Sequence, residues 1–214
     1  MVCTEWMEVT RAALSTLRPR QWVMDQVIDM FGIKTTLHRP DLLYLPSTVI
    51  VNCTKKKNPC IWNQYISGTY KPVNGATIRK VFIPLIKDKH WWACICDMES
   101  KTNYILNSSN SVQSYDVHNT TIDTVAKLSP ILARSSPSYY PMRFLHSHRV
   151  ITLKVPQQSN NFDCGAHVLR YLSMLDCELG DWQNPDNYQR MPDFRKSVMM
   201  QLLSWDANTR TEYK

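Results

Sequence analysis

A chain of 214 residues, 43% apolar and 20% charged, can build one sizeable domain with a proper core, and it carries no low-complexity segment or internal repeat. No run approaches the roughly eighteen apolar residues that span a bilayer, and residues 1–22 mix Glu5, Glu8, Arg11 and Arg18 among apolar side chains, so neither a membrane span nor a signal peptide is expected. The net charge of +7 suits an acidic partner, but the one dense basic cluster, Lys55 to Lys57, lacks interleaved aromatics and reads as a solvated loop, with no nucleic acid required.

The seven cysteines are an odd number without the spacing of a disulfide framework, which points to a reducing compartment, nucleus or cytoplasm. Cys94 and Cys96 stand two apart in a strand and share a face. A zinc site built from Cys53, Cys60, Cys94 and Cys96 lacks close-paired spacing and is set aside. The glycosylation-like triplets at Asn52, Asn107 and Asn119 read as chance without a secretory signal.

Along the chain, residues 9–31 read as helical, with Val23, Val27, Met30 and Phe31 on one face and Gly32 ending the segment. Pro40 and Pro46 bracket a short element at 42–45. A basic loop at 55–57 leads to a helix near 60–66 and a Gly/Pro-containing stretch through Gly75. Residues 80–86 are β-like, with Pro84 marking an edge or bulge. Residues 90–97 form a continuous apolar run, as in a strand buried on both faces, and a polar turn at 98–103 joins it in a hairpin to 104–106. A helix at 119–134, a loop at 135–141 and a strand at 150–155 follow. After Cys164, Val168, Leu172, Leu175 and Leu179 fall on one helical face, and Gly180 stands where a cap belongs. The last helix carries Phe194, Val198, Leu202 and Trp205, before a polar tail at 206–214.

The chemistry concentrates in Pro156-Gln157-Gln158-Ser159-Asn160-Asn161-Phe162-Asp163-Cys164-Gly165. With Asp163 as N-cap, Cys164 opens a helix, where unpaired N–H groups and the dipole lower a thiol pKa. A buried structural cysteine is the bland alternative, and it has little use for so polar a neighbourhood. Of six histidines (38, 90, 118, 146, 148 and 167), His90 is best placed as a base, because it begins a buried strand at the rim of a sheet. The hairpin returns Asn107 to that rim, where its amide oxygen can orient the imidazole. The Cys164 N–H and the Gln158 side-chain amide are candidate donors to an oxyanion.

These residues resemble the ubiquitin-like-protein-specific (SUMO or sentrin) cysteine proteases, a clan that includes the adenovirus protease. The matching blocks are His90-Trp91, Asn107 seventeen residues after His90, and the complete cysteine segment. Thr16-Leu17 with Trp22-Val23-Met24-Asp25, Phe82-Ile83-Pro84, and the run Met191-Pro192-Asp193-Phe194-Arg195-Lys196 agree as well. The resemblance implies an α+β, papain-like cysteine protease fold, with a central mixed sheet flanked by helices, in a single domain over 1–214 (strongest over 16–203). It implies Cys164 as nucleophile, His90 as base and acid, Asn107 as orienting residue and Gln158 as oxyanion donor. It further implies Trp22 and Trp91 as a tunnel around a Gly-Gly tail, and Asp25 as a contact to the modifier.

The expected activity is thiol peptidase cleavage after the Gly-Gly of a SUMO-like modifier, in precursors or conjugates, by a monomer that needs no metal or organic cofactor and no membrane. Two departures stand out: Asn107 replaces the family's usual Asp, and Phe162 replaces a small residue. The first motivates an alternative, a catalytically impaired module that binds the modifier without cleaving it.

Overall fold

The computed structural model describes residues 2–3, 7–54, 78–110, 114–135, 137–178, 180–206 and 208. The basic loop at 55–57, the helix expected near 60–66 and most of the tail lie outside these residues. A two-stranded antiparallel ribbon, β1 (Val2–Cys3) and β2 (Glu8–Val9), precedes the main body. That body is a five-stranded mixed sheet in the order β3-β4-β5-β6-β7. The strands are β3 (Leu42–Tyr44), β4 (Lys80–Lys87), β5 (His90–Asp97), β6 (Thr102–Leu106) and β7 (Arg149–Leu153). β4, β5 and β6 run antiparallel to one another, whereas β3 pairs in parallel with β4 and β7 with β6 on the two edges.

β5 is buried from His90 to Cys96, as its unbroken apolar run requires of a central strand covered on both faces. Pro84 is accommodated because β3 pairs only with Lys80 to Phe82, so β4 is an edge strand beyond that point and the missing N–H breaks no ladder. Side chains alternate across β5. Trp92 donates its indole N–H to Thr121 of helix α4 (Ser114–Ser135) at 2.9 Å on one face. On the other face Trp91 packs against Gly165 of helix α5 (Cys164–Ser173).

Three helical expectations are corrected. The segment expected to be one helix is two: α1 (Arg11–Ser15), capped by the Thr10 hydroxyl, and α2 (Asp25–Thr36). Between them lie Pro19, which cannot continue a helix, and Arg20 at φ 63°. α2 runs past Gly32, where a Cβ would come within 2.3 Å of the Tyr44 ring; close packing, not termination, is what the glycine serves. α5 stops at Ser173, short of Leu175 and Gly180. The Ser173 hydroxyl bonds the Arg170 carbonyl, and the Trp182 indole takes the Met174 carbonyl, so the last turn is closed by side chains. The stretch expected as a loop at 135–141 belongs instead to the end of α4 and to a 3-10 run, Pro137–Ser147.

Two further helices complete the layers, α3 (Ser47–Thr54) and α6 (Met191–Leu203). Asp29 of α2, fully buried, fixes the start of α3 by accepting from the Ser47 N–H at 2.8 Å and hydroxyl at 2.9 Å, and from the Tyr44 hydroxyl at 2.7 Å. No helix among the described residues is long and apolar enough to cross a membrane.

Candidate active site

α5 is buried from Cys164 through Leu172, more completely than an amphipathic surface helix, because it lies between β5 and α2. Its first residue therefore meets the start of β5. The Cys164 sulfur lies 3.9 Å from the Lys89 carbonyl oxygen, directly before His90. Burial pushes the thiol pKa above its ordinary value, against the pull of the Trp91, Gly165 and Cys164 backbone N–H groups. The expected lowering of the thiol pKa at a helix start is thus overturned: desolvation outweighs the helix terminus. Asp163 precedes the helix but makes no side-chain cap.

His90 and Asn107 meet as the hairpin predicts. Nε2 of His90 is 2.7 Å from Oδ1 of Asn107. The amide has one orientation, because its Nδ2 donates to the Ser109 carbonyl at 2.9 Å while the Ser109 N–H donates to Oδ1 at 3.1 Å. An amide oxygen can only accept, so Nε2 carries the proton and Nδ1 keeps a free lone pair in the neutral ring. Burial holds the His90 pKa below its ordinary value, with the Asn107 bond acting in the opposite direction. Thiol and imidazole are both pushed toward their neutral forms.

The segment before Cys164 is strapped to the end of β6. Gln157 donates its amide to the carbonyls of Val155 (2.8 Å) and Asn107 (3.1 Å), and the Gln158 N–H donates to the Ser108 carbonyl at 2.8 Å. Asn160 folds the loop by accepting from the Phe162 and Asp163 N–H groups, each at 3.0 Å, and donating to the Asp163 carboxylate at 2.8 Å. Phe162, half-buried, gives its carbonyl to Arg195.

Beside this cluster opens a cavity of about 510 Å³ lined by Trp22, Asp25, Lys89 and Trp91, with Val23 and Val51 among the apolar walls. Trp22 is 45% exposed, yet its ring is held: the indole N–H donates to the Asn161 carbonyl at 2.7 Å, and the Lys89 ammonium sits 5.2 Å from the ring centroid. Trp91 is buried, with Gly165 against its edge. Asp25 begins α2 and accepts from the Gln26 N–H. The seven residues singled out in the sequence thus fall into two adjoining groups. His90, Asn107, Gln158 and Cys164 sit where β5, β6 and α5 meet, and Trp22, Asp25 and Trp91 line the cavity. Among the described residues no group of three or more His, Cys, Asp and Glu is arranged to hold a metal ion. Cys94 and Cys96 face each other at 3.9 Å inside the sheet.

The role of one residue of this framework escaped the sequence reading. Arg195, 1% exposed, donates to Asp163 through Nε (3.1 Å) and Nη2 (2.6 Å), and to the carbonyls of Thr16, Gln21 and Phe162. It joins the cysteine loop to the α1–α2 break. The available signal was a charge on the helical face shared with Val198 and Leu202, at i, i+3 and i+7.

Comparison with known proteins agrees with this geometry. The model of the Ulp1 protease family, C-terminal catalytic domain, matches residues 21–204. None of the curated proteins matches the chain. Among solved structures, the SUMO protease Ulp1 with its catalytic cysteine oxidised to a sulfinic acid superposes with a TM-score of 0.72 at 20% identity, over 96% of this chain and 87% of that one. The C-terminal Ulp1 protease domain in complex with Smt3, the yeast ortholog of SUMO, gives 0.72 at 19%, over 94% and 86%. The Ulp1-like SUMO protease catalytic domain of Chaetomium thermophilum gives 0.58 at 14%, over 87% and 74%. Likenesses at such low identity show the papain-like fold. The family match spans most of the chain, which therefore belongs to the Ulp1 protease family of cysteine proteases.

Proposed function

We propose that this protein is a thiol peptidase that cuts after the C-terminal Gly-Gly of a SUMO-like modifier, in precursors or in isopeptide conjugates, with Cys164 as nucleophile. The observation that carries the reading is the His90–Asn107 pair at 2.7 Å, set at the sheet edge where the Cys164 sulfur lies 3.9 Å from the Lys89 carbonyl. The Ulp1 domain solved with Smt3 supports the choice of modifier.

As the sulfur bonds to the Gly carbonyl carbon, its proton passes to Nδ1 of His90, the lone pair left free by Asn107. Proton transfer accompanies attack, because burial disfavours both the thiolate and the imidazolium at rest. The oxyanion accepts from the Cys164 N–H and the Gln158 amide. The imidazolium then protonates the departing amine as the C–N bond breaks, leaving a thioester. Water, deprotonated by His90, attacks the thioester and expels the thiol. Trp22 and Trp91 confine the tail, and residues without side chains fit between two indoles. Asp25 contacts the modifier at the rim of the cavity.

A panel of modifiers carrying C-terminal electrophiles tests this. A SUMO-like member is expected to label the wild type and to leave Cys164→Ser unlabelled. Labelling that survives Cys164→Ser, or that occurs with no modifier, refutes the assignment. The second reading, a binder with impaired chemistry, draws on Asn107, which orients His90 without supplying negative charge.

A further inference from the structure

We propose that Ser108 is a positioning residue of this site, whose hydroxyl fixes the orientation of the Gln158 side-chain amide; the inference rests on the oxyanion role given to Gln158. The Ser108 hydroxyl lies 2.9 Å from Oε1 of Gln158, and Nε2 of Gln158 lies 2.5 Å from the Asn160 carbonyl oxygen. A carbonyl only accepts, so Nε2 must face Asn160, and Oε1 must face Ser108. The serine is therefore the donor. At 1% exposure it leaves little room for water to take its place.

The amide is clamped at both ends. Oε1 is held by Ser108, one Nε2 hydrogen is held by Asn160, and the other has no partner among the described residues. That remaining N–H is the one an oxyanion can use. Without the hydroxyl, Oε1 loses its only hydrogen-bond donor among the described residues, and the Nε2–Asn160 bond alone is left to oppose rotation of the side chain about its last torsion. A donor that must be re-aimed at the moment of reaction is worth less than one already aimed.

The hydroxyl is not needed to hold the segment itself. The Gln158 N–H to Ser108 carbonyl bond and the two bonds of the Gln157 amide secure the strap independently of any side chain on Ser108. Removing one hydroxyl therefore separates aim from scaffold.

The experiment is a double-mutant cycle of Ser108→Ala and Gln158→Ala in the full chain, with kcat and KM measured on a SUMO-like modifier bearing a C-terminal fluorogenic amide. Gln158→Ala is expected to lower kcat about 100-fold, the scale of a lost oxyanion donor. Ser108→Ala is expected to lower kcat about tenfold, with KM within twofold and the thermal midpoint nearly unmoved. The Ser108 side chain also interacts with the buried Tyr171 phenol, but only Gln158 carries its effect to the reacting carbonyl, so the double variant should be no slower than Gln158→Ala alone. Losses that multiply in the double variant, or an unchanged kcat in Ser108→Ala beside a large drop in Gln158→Ala, overturn the Ser108 role and leave the oxyanion assignment standing. An unchanged kcat in Gln158→Ala overturns both. If alanine unsettles the fold, Ser108→Cys, close in size and a weak donor, carries the same expectations.

Discussion

Arg195 on α6 places Nη2 2.6 Å from Oδ1 of Asp163, the residue immediately before Cys164. The pair is buried, with the guanidinium side chain 1% and the carboxylate side chain 12% exposed. The same guanidinium satisfies the carbonyls of Thr16 and Gln21 in the α1–α2 break and of Phe162 in the cysteine loop. Its removal strands a charge and several acceptors at once. Arg195→Met is expected to cost about 3–5 kcal/mol in urea unfolding, and Arg195→Met with Asp163→Asn should recover part of that. Turnover should fall further than the folded fraction alone explains, because the loop carrying Gln158 and Cys164 loses its anchor to α6. A loss below about 1 kcal/mol, the scale of an exposed pair, would contradict this role.

The Asn107 position sets how strongly the site favours the reactive ion pair. Asn107→Asp would put a negative charge where a neutral oxygen now accepts from Nε2 of His90. An opposite charge at that range raises an imidazole pKa by about 1–3 units, and each unit increases a minor thiolate–imidazolium population about tenfold. The carboxylate would also face the Ser109 carbonyl that Nδ2 now satisfies, which offsets part of the gain. The expected outcome is a roughly tenfold higher kcat/KM at neutral pH, with the acidic limb of the profile, which the imidazole sets, moved upward. Wild-type turnover at the detection limit that recovers in the variant would mark the impaired binder. A readily measured wild-type rate marks the peptidase.

Why the His90–Asn107 meeting was legible is a matter of register. β5 announces itself by its apolar run, and the polar turn at 98–103 dictates an antiparallel return. Pairing Ala93 with Leu106 and continuing one step sets Asn107 opposite Trp92, diagonal to His90. Such local geometry can be counted along the chain. The contacts of Arg195 cannot, since its partners lie between 32 and 179 positions away. Nor could the balance at Cys164 be read: the helix start is a local signal, whereas the burial that outweighs it comes from β5 and α2 packing around α5. The length of α5 was missed for a similar reason, because Trp182, which closes it, belongs to a later turn.

Two buried ionisable groups that take no part in the thiol chemistry set opposing pH slopes on stability. His167 on α5 is 5% exposed, its Nδ1 has no hydrogen-bond partner among the described residues, and burial lowers its pKa from 6.5 to about 4. The unfolded chain takes up that proton near pH 6.5 while the folded one refuses it until about pH 4. Stability present above pH 6.5 is therefore lost as pH falls across that window, by about 3 kcal/mol at about 1.4 kcal/mol per unit.

Asp29 acts the other way. Burial, opposed by the Ser47 and Tyr44 hydrogen bonds, raises its pKa from 3.8 to about 6, so stability is full below pH 3.8 and is lost as pH rises through 6. Between about pH 4 and 6 these two contributions offset each other to first order. His167→Phe is expected to become more stable from pH 6 to 4.5, and Asp29→Asn to become less stable over the same interval, each judged against its own midpoint at pH 7.5. Urea midpoints at these three pH values decide it; slopes in both variants parallel to that of the wild type would rule out the assignment.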